Sequence, residues 1–98
     1  MIKYELAQKI ALVRKLELYM LENNLSFPKT AKLLKCHPVS IKFWMGGEIL
    51  PKTSLCYRIE VITQNFEPTL HKDQLDADNI LRAVQEYKQN ILNKKLKG

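Results

Sequence analysis

The chain has 98 residues, of which 46% are hydrophobic and 27% charged, so its length fits one domain and its composition excludes wholesale disorder. Its two cysteines, Cys36 and Cys56, are too few for a disulfide scaffold and form no C-x-x-C motif, which excludes zinc-ribbon and dithiol redox sites. No apolar run approaches the ~18 residues of a membrane span, and the N-terminus lacks the apolar stretch of a signal peptide. We expect a reduced, cytoplasmic, soluble protein with no membrane partner.

Positive charge is concentrated in one part of the sequence. Sixteen Lys and Arg residues against ten Asp and Glu residues give a net charge of +6. Residues 26–58 contain six basic side chains and one acidic side chain, Glu48. A second basic run, Lys94, Lys95 and Lys97, lies at the end of the chain. Such clusters attract phosphate groups without determining a fold, so the charge favours a nucleic-acid partner.

The first half of the chain predicts three helices. Apolar residues recur at helical spacing from Tyr4 to Glu22, and Asn23-Asn24 ends this helix because Asn tolerates the left-handed conformation. Ser26 caps a short second helix that ends at about Leu34, with Pro28 in its first turn. Pro38 begins a third helix directly after His37, and Gly46-Gly47 ends it. The apolar positions of the first helix are Leu6, Ile10, Val13, Leu16 and Met20.

The second half predicts three more helices. Pro51 lies at the start of a fourth helix, whose apolar residues Leu55, Ile59 and Ile62 again have helical spacing. Thr69 and Asp78 are candidate caps for a short fifth helix and a longer sixth helix. No segment alternates apolar and polar residues over five positions, so no strand is predicted. The sequence therefore predicts an all-α domain.

The segment from Phe27 to Gly46 has the pattern of a helix-turn-helix, two short helices joined by a turn of three or four residues. The small side chain of Ala31 allows the two helices to cross closely, and Leu34 and Cys36 flank the turn and point inward. Ile41 and Trp44, three residues apart, pack the second helix against the domain. The other face of that helix carries His37, Pro38, Val39, Lys42 and Phe43.

This second face favours a partner, because two apolar side chains lie on it beside a lysine. Leaving Val39 and Phe43 in water is unfavourable by roughly 1.5–3 kcal/mol each relative to full burial. The major groove of DNA offers thymine methyl groups to apolar side chains, and phosphates or guanine to Lys42. Double-stranded DNA is therefore the partner that this face favours.

The run LSFPKTAKLLKCHPVSIKFWMGGEILP resembles the helix-turn-helix of the Cro and lambda-repressor superfamily of phage and bacterial regulators. The segment that follows is similar to the YdaS-like branch of Cro-type antitoxins and repressors, whose pattern is P-x-x-x-x-C-x-x-I-E-x-x-T. The residues that match this pattern are Pro51, Cys56, Ile59, Glu60 and Thr63. The stretch from Thr69 to Leu75 is similar to the T-x-x-x-L ending of that branch. The resemblance covers about Leu16 to Leu75.

The resemblance implies a compact lambda-repressor-like DNA-binding domain of five to six helices with an extra C-terminal helix. Residues 1–76 form the domain, residues 27–46 the helix-turn-helix and residues 38–45 the recognition helix, and residues 77–98 form an amphipathic helix with a basic tail. The implied base-reading residues are His37, Pro38, Val39, Lys42 and Phe43. The phosphate-binding positions are Ser26, Phe27, Lys29 and Lys32, to which the local charge adds Lys35 and Lys52.

The chain departs from the family pattern at three places. Lys35 stands where the family usually has the turn glycine, a position that we expect to need a positive φ. Phe27 replaces a glutamine that commonly binds a phosphate. Pro38 and Val39 replace polar base readers.

No catalytic or metal constellation is found in the sequence. Cys36 and Cys56 are interpreted as small core residues, and His37 has no acidic or histidine partner at ligand spacing. Paired carboxylates and a nucleophile with its base are also absent from the pattern. We therefore expect no enzyme activity, no cofactor, no metal and no small-molecule substrate.

The last helix carries an apolar stripe made of Ile80, Val84, Tyr87 and Ile91. This stripe either packs on the first helix of the domain or forms a dimer contact, with a basic membrane-surface helix as a third alternative. A recognition helix of about eight residues is ~12 Å long and reads only a few base pairs. A homodimer places two such helices ~34 Å apart on a near-palindromic operator.

The leading hypothesis is a sequence-specific double-stranded-DNA-binding regulator, a Cro-like repressor that occupies promoter DNA. The second is an antitoxin that represses its own operon through the same helix and binds a toxin or other protein partner through its tail. The third is a protein-interaction module in which Val39 and Phe43 dock on protein.

Overall fold

A computed structural model describes residues 3–97 of the chain, together with the side chains of residues 3–94. Within this range all the regular structure is helical, as predicted. The five α-helices are α1 (Leu6–Glu22), α2 (Phe27–Leu34), α3 (Pro38–Met45), α4 (Thr53–Thr63) and α5 (Ala77–Lys97), and a 3₁₀ helix, η1 (Lys72–Leu75), precedes α5. The side chains of Lys95 and Lys97, in the predicted basic tail, are not among the side chains that the structure describes.

Local signals set the boundaries of the first three helices. The side chain of Gln8 accepts a hydrogen bond from the Glu5 backbone N–H at 2.8 Å, which caps the start of α1. Asn23 and Asn24 follow its last residue, and Asn24 has a φ of 51°, as the predicted ending requires. Ser26 Oγ accepts from the Lys29 N–H at 3.3 Å at the start of α2. Gly46 and Gly47 end α3, and Gly47 has a φ of 73°.

The later boundaries differ from the predictions. The α4 helix begins at Thr53, two residues after Pro51. Thr69 was wrongly predicted as a helix cap: the short helix begins at Lys72, and Thr69 instead donates from its hydroxyl to the Glu22 carboxylate at 2.8 Å. Asp78 was also wrongly predicted as a cap, because it lies inside α5, which begins one residue earlier.

The α1 helix is the centre of the packing. It contacts α3, α4, α5 and η1, while α2 packs against α3 and α4. The core contains Leu16, Leu34, Ile41 and Ile59, none of which is accessible to solvent, together with Trp44. These residues come from α1, α2, α3 and α4, so burial of apolar surface holds α2 and α3 on the other helices.

The α5 helix lies against α1 and η1. Within its stripe Val84 is buried, and Ile80, Tyr87 and Ile91 are half-buried. The stripe thus packs on the first helix of the chain, which was one of its two main predicted alternatives. Among residues 3–97, no helix has both the length and the apolar character needed to cross a membrane.

Candidate nucleic-acid interface

The turn between α2 and α3 has the left-handed backbone that the family resemblance implied at Lys35. Lys35 ends α2 with φ 54° and ψ 50°, the left-handed conformation expected at this position. The next backbone N–H, that of Cys36, donates to the Ala31 carbonyl at 3.0 Å. Ala31 is buried, which lets α2 approach its neighbours closely. The chain therefore turns from α2 into α3 at Lys35, which adopts a left-handed conformation that glycine adopts more easily.

The α3 helix has one buried face and one exposed face. Ile41 is inaccessible and Trp44 is 4% exposed, so these two side chains anchor the helix in the core. On the other face Val39 is 44% exposed and Phe43 is 38% exposed, and Lys42 is exposed between them. The predicted base-reading residues Val39, Lys42 and Phe43 therefore lie on one accessible surface.

His37 has a structural task at the start of this helix. Its Nδ1 accepts a hydrogen bond from the Val39 N–H at 3.2 Å, which caps α3, and Pro38 follows as the first helical residue. Because Nδ1 is engaged as an acceptor, Nε2 is the ring nitrogen that remains for another partner. His37 is exposed and Pro38 half-buried, so His37 offers a base edge or phosphate one donor at Nε2.

The predicted phosphate-binding residues fall into two groups. The first group lies along α2 and its N-cap, where Ser26, Phe27, Lys29 and Lys32 are all exposed. Although Ser26 Oγ accepts the capping bond from Lys29, its hydroxyl hydrogen is still free to donate to a phosphate oxygen. Phe27 presents an aromatic ring there, so it contributes apolar contact rather than a hydrogen bond.

The second group surrounds a depression of about 510 Å³ between the turn, α3 and the start of α4. Lys35 lines it from the end of α2 and Lys52 from the start of α4. Arg58 and the hydroxyl-bearing Ser40 and Ser54 also line it. Three cations around one depression make it electropositive. The fold thus brings together Lys35 and Lys52, which the sequence could only group by charge.

Arg58 is a residue whose role the sequence did not reveal. Its Nη1 donates to the Leu34 carbonyl at 3.0 Å and to the Lys35 carbonyl at 3.3 Å. Carbonyls at the end of a helix lack intrahelical partners, so the guanidinium caps α2 and ties α4 to the turn. The one available signal was its residue type: every other cation in residues 26–58 is lysine, and arginine forms such forked contacts better.

The cysteines have the character of packing residues. Burial raises the pKa of the Cys36 thiol against an opposing effect of Arg58, and burial also raises the pKa of the Cys56 thiol. Cys56 Sγ–H donates to the Pro51 carbonyl at 3.4 Å. Both thiols are therefore protonated at neutral pH, which disfavours nucleophilic or metal-binding roles. In the described part of the chain, no three His, Cys, Asp or Glu side chains are placed to hold a metal ion.

Comparison of the chain with family models, curated proteins and solved structures gives no match.

Proposed function

We propose that this protein is a sequence-specific double-stranded-DNA-binding regulator that represses transcription by occupying promoter DNA. The observation that carries the proposal is the division of α3 into two faces. Ile41 and Trp44 anchor the helix in the core, while Val39, Lys42 and Phe43 form an apolar and basic strip in solvent. An anchored helix with such a strip is suited to the major groove, which presents methyl groups and hydrogen-bond acceptors.

Exposed lysines elsewhere on the helix-turn-helix and beside α4 support contacts with the phosphate backbone. Lys29 and Lys32 are exposed on α2, and Lys35 and Lys52 line the electropositive depression beside α4. If these four lysines neutralise phosphates, with or without Lys42, the logarithm of the affinity falls with the logarithm of salt concentration with a slope of about −4 per subunit.

The short α3 helix favours binding as a dimer. Its eight residues span about 12 Å, enough for only a few base pairs. Two subunits related by a two-fold axis place two recognition helices about 34 Å apart and double the length of the site. The proposed operator is accordingly near-palindromic.

The proposal is tested by fluorescence anisotropy with duplexes tiled across the DNA upstream of the coding sequence, each titrated at two salt concentrations. Lys42→Glu is compared with Lys72→Glu, which makes the same charge change at an exposed position on η1, outside the helix-turn-helix. We expect tight binding to one tile that is lost in the Lys42 variant and retained in the Lys72 variant.

Two results would reject this function. Weak binding that is equal on all tiles and indifferent to Lys42 excludes sequence-specific recognition by α3. A salt slope shallower than about −2 excludes the proposed phosphate contacts.

A further inference from the structure

A cavity of about 220 Å³ lies between α1, α5 and the end of α3. Ile10, Val13 and Trp44, all buried residues, contribute apolar surface to it, and the half-buried ring of Tyr87 lines it from α5. An apolar cavity of about 150 Å³ is large enough for benzene, so this one accommodates a single ring with a short side chain. It is smaller than the sites of drug-sized ligands.

The charges that line the cavity have the opposite sign to the protein as a whole. Glu17 and Arg14 line it from α1 and Glu86 lines it from α5, so the lining carries two carboxylates and one guanidinium, whereas the whole chain carries +6. Arg14 and Glu17 are three residues apart on one helix and therefore neighbours on its surface. Glu86 belongs to the opposite helix, so the lining has a net charge of −1 and favours a cation.

We propose that this cavity is a binding site for a small organic cation that consists of one aromatic ring and an alkylammonium group. The ring lies against Trp44 and Tyr87, whose aromatic faces favour offset or edge-on ring contacts. The ammonium group pairs with Glu17 or Glu86, the two exposed carboxylates of the lining. The site is independent of the proposed DNA interface, and its test requires no DNA.

Trp44 is the only tryptophan of the chain, so its fluorescence reports directly on the cavity. The probes are 2-phenylethylamine, 2-phenylethanol and phenylacetate, which share the ring and differ in charge. We expect a saturable change in Trp44 emission with the amine, with the weak affinity normal for so small a ligand. The alcohol binds about fivefold more weakly because it lacks the charge attraction. The carboxylate binds more weakly still, because the two glutamates repel it. Saturation separates binding from collisional quenching, which rises linearly.

Glu86→Gln is the variant that tests the charge assignment, and Glu67→Gln is its matched control. Both residues are exposed glutamates, and only Glu86 lines this cavity. We expect at least a threefold loss of amine affinity in the Glu86 variant and none in the Glu67 variant. The proposal is overturned by an equal response to all three probes, by the absence of saturation, or by equal effects of the two substitutions. Circular dichroism verifies that both variants are folded.

Discussion

Arg58→Gln is the substitution that tests how the helix-turn-helix is held in place. The guanidinium donates to the carbonyls of Leu34 and Lys35, at 3.0 and 3.3 Å, and so joins α4 to the turn that orients α3. A glutamine side chain is shorter and uncharged, so it cannot reproduce the two contacts. We expect a less stable domain whose turn is less firmly fixed.

The magnitude follows from the number and setting of the hydrogen bonds. A hydrogen bond with a charged partner contributes about 1.5–3 kcal/mol when it is well shielded. Here the bond to Leu34 is only partly buried and the bond to Lys35 is exposed, so water replaces much of what is lost. We therefore expect the free energy of unfolding to fall by about 1–2 kcal/mol in total. In a domain of this length that lowers Tm by about 5–10 °C.

The assay is chemical denaturation followed by far-ultraviolet circular dichroism, with Arg82→Gln as the matched control. Arg82 is an exposed arginine on α5, so its substitution removes the same charge away from the turn. DNA affinity is then measured at low temperature, where both variants are folded. We expect weaker binding by the Arg58 variant with an unchanged salt slope, because Arg58 positions the turn and neutralises no phosphate.

Two outcomes would refute this reasoning. Equal losses of stability in the two variants would mean that the effect is one of net charge. A salt slope reduced by about one in the Arg58 variant would mean that Arg58 contacts a phosphate directly.

Three further predictions concern single positions. The free energy of unfolding should be about 1 kcal/mol higher for Lys35→Gly than for Lys35→Ala, because both variants lose the charge and only alanine keeps a Cβ at φ 54°. Equal denaturation midpoints of the two variants would contradict this. His37→Ala should lower the unfolding free energy by about 1 kcal/mol through loss of the α3 cap, while His37→Asn, a good capping residue, should retain most of it in the same denaturation assay. Desolvation is the largest single influence on Glu22 and acts to raise its pKa, yet the hydrogen bonds from Thr69 and Leu70 together hold that pKa below its ordinary value of 4.5. A depressed pKa in the folded state stabilises the protein above pH 4.5, and this contribution is lost as the pH falls through the folded-state pKa. Unfolding free energies measured across that range should therefore depend less on pH in Glu22→Gln than in the unsubstituted protein, and parallel profiles would exclude the effect.

The boundaries of α2 and α3 could be predicted because their signals are local. Ser26, Pro38 and Gly46 act through the backbone of the next few residues, so their sequence positions suffice. The positive φ of Lys35 was expected from the family resemblance, whose turn glycine falls on this position, and the exposure of Val39 was expected because Ile41 and Trp44 occupy the opposite face of α3.

The contacts that join distant segments could not be predicted in this way. Arg58 bonds to carbonyls more than twenty residues earlier, and Glu22 bonds to Thr69 across 47 residues. Both depend on the packing of whole helices, which the spacing of apolar residues does not determine. The start of α5 was misplaced for another reason: Asp76 and Asp78 are equally suitable cap residues, and the structure uses Asp76, whose carbonyl accepts from the Ile80 N–H at 3.0 Å.

The packing of α5 decides how a partner of this helix has to be sought. Val84 is buried in the domain, so deleting the chain beyond Asp78 removes a core residue, and burial of one such side chain contributes about 1.5–3 kcal/mol. The loss of a dimer or toxin contact in the truncated protein would then be explained equally well by unfolding.

Substitution of Leu81 and Leu92 avoids this ambiguity. These side chains are 58% and 49% exposed, and their spacing of about three helical turns places them on one face of α5. The double substitution Leu81→Gln, Leu92→Gln leaves the buried stripe intact. Sedimentation then reports the oligomeric state of the variant. A monomer with unchanged Tm would place the subunit contact on this face, whereas an unchanged dimer would place the contact elsewhere.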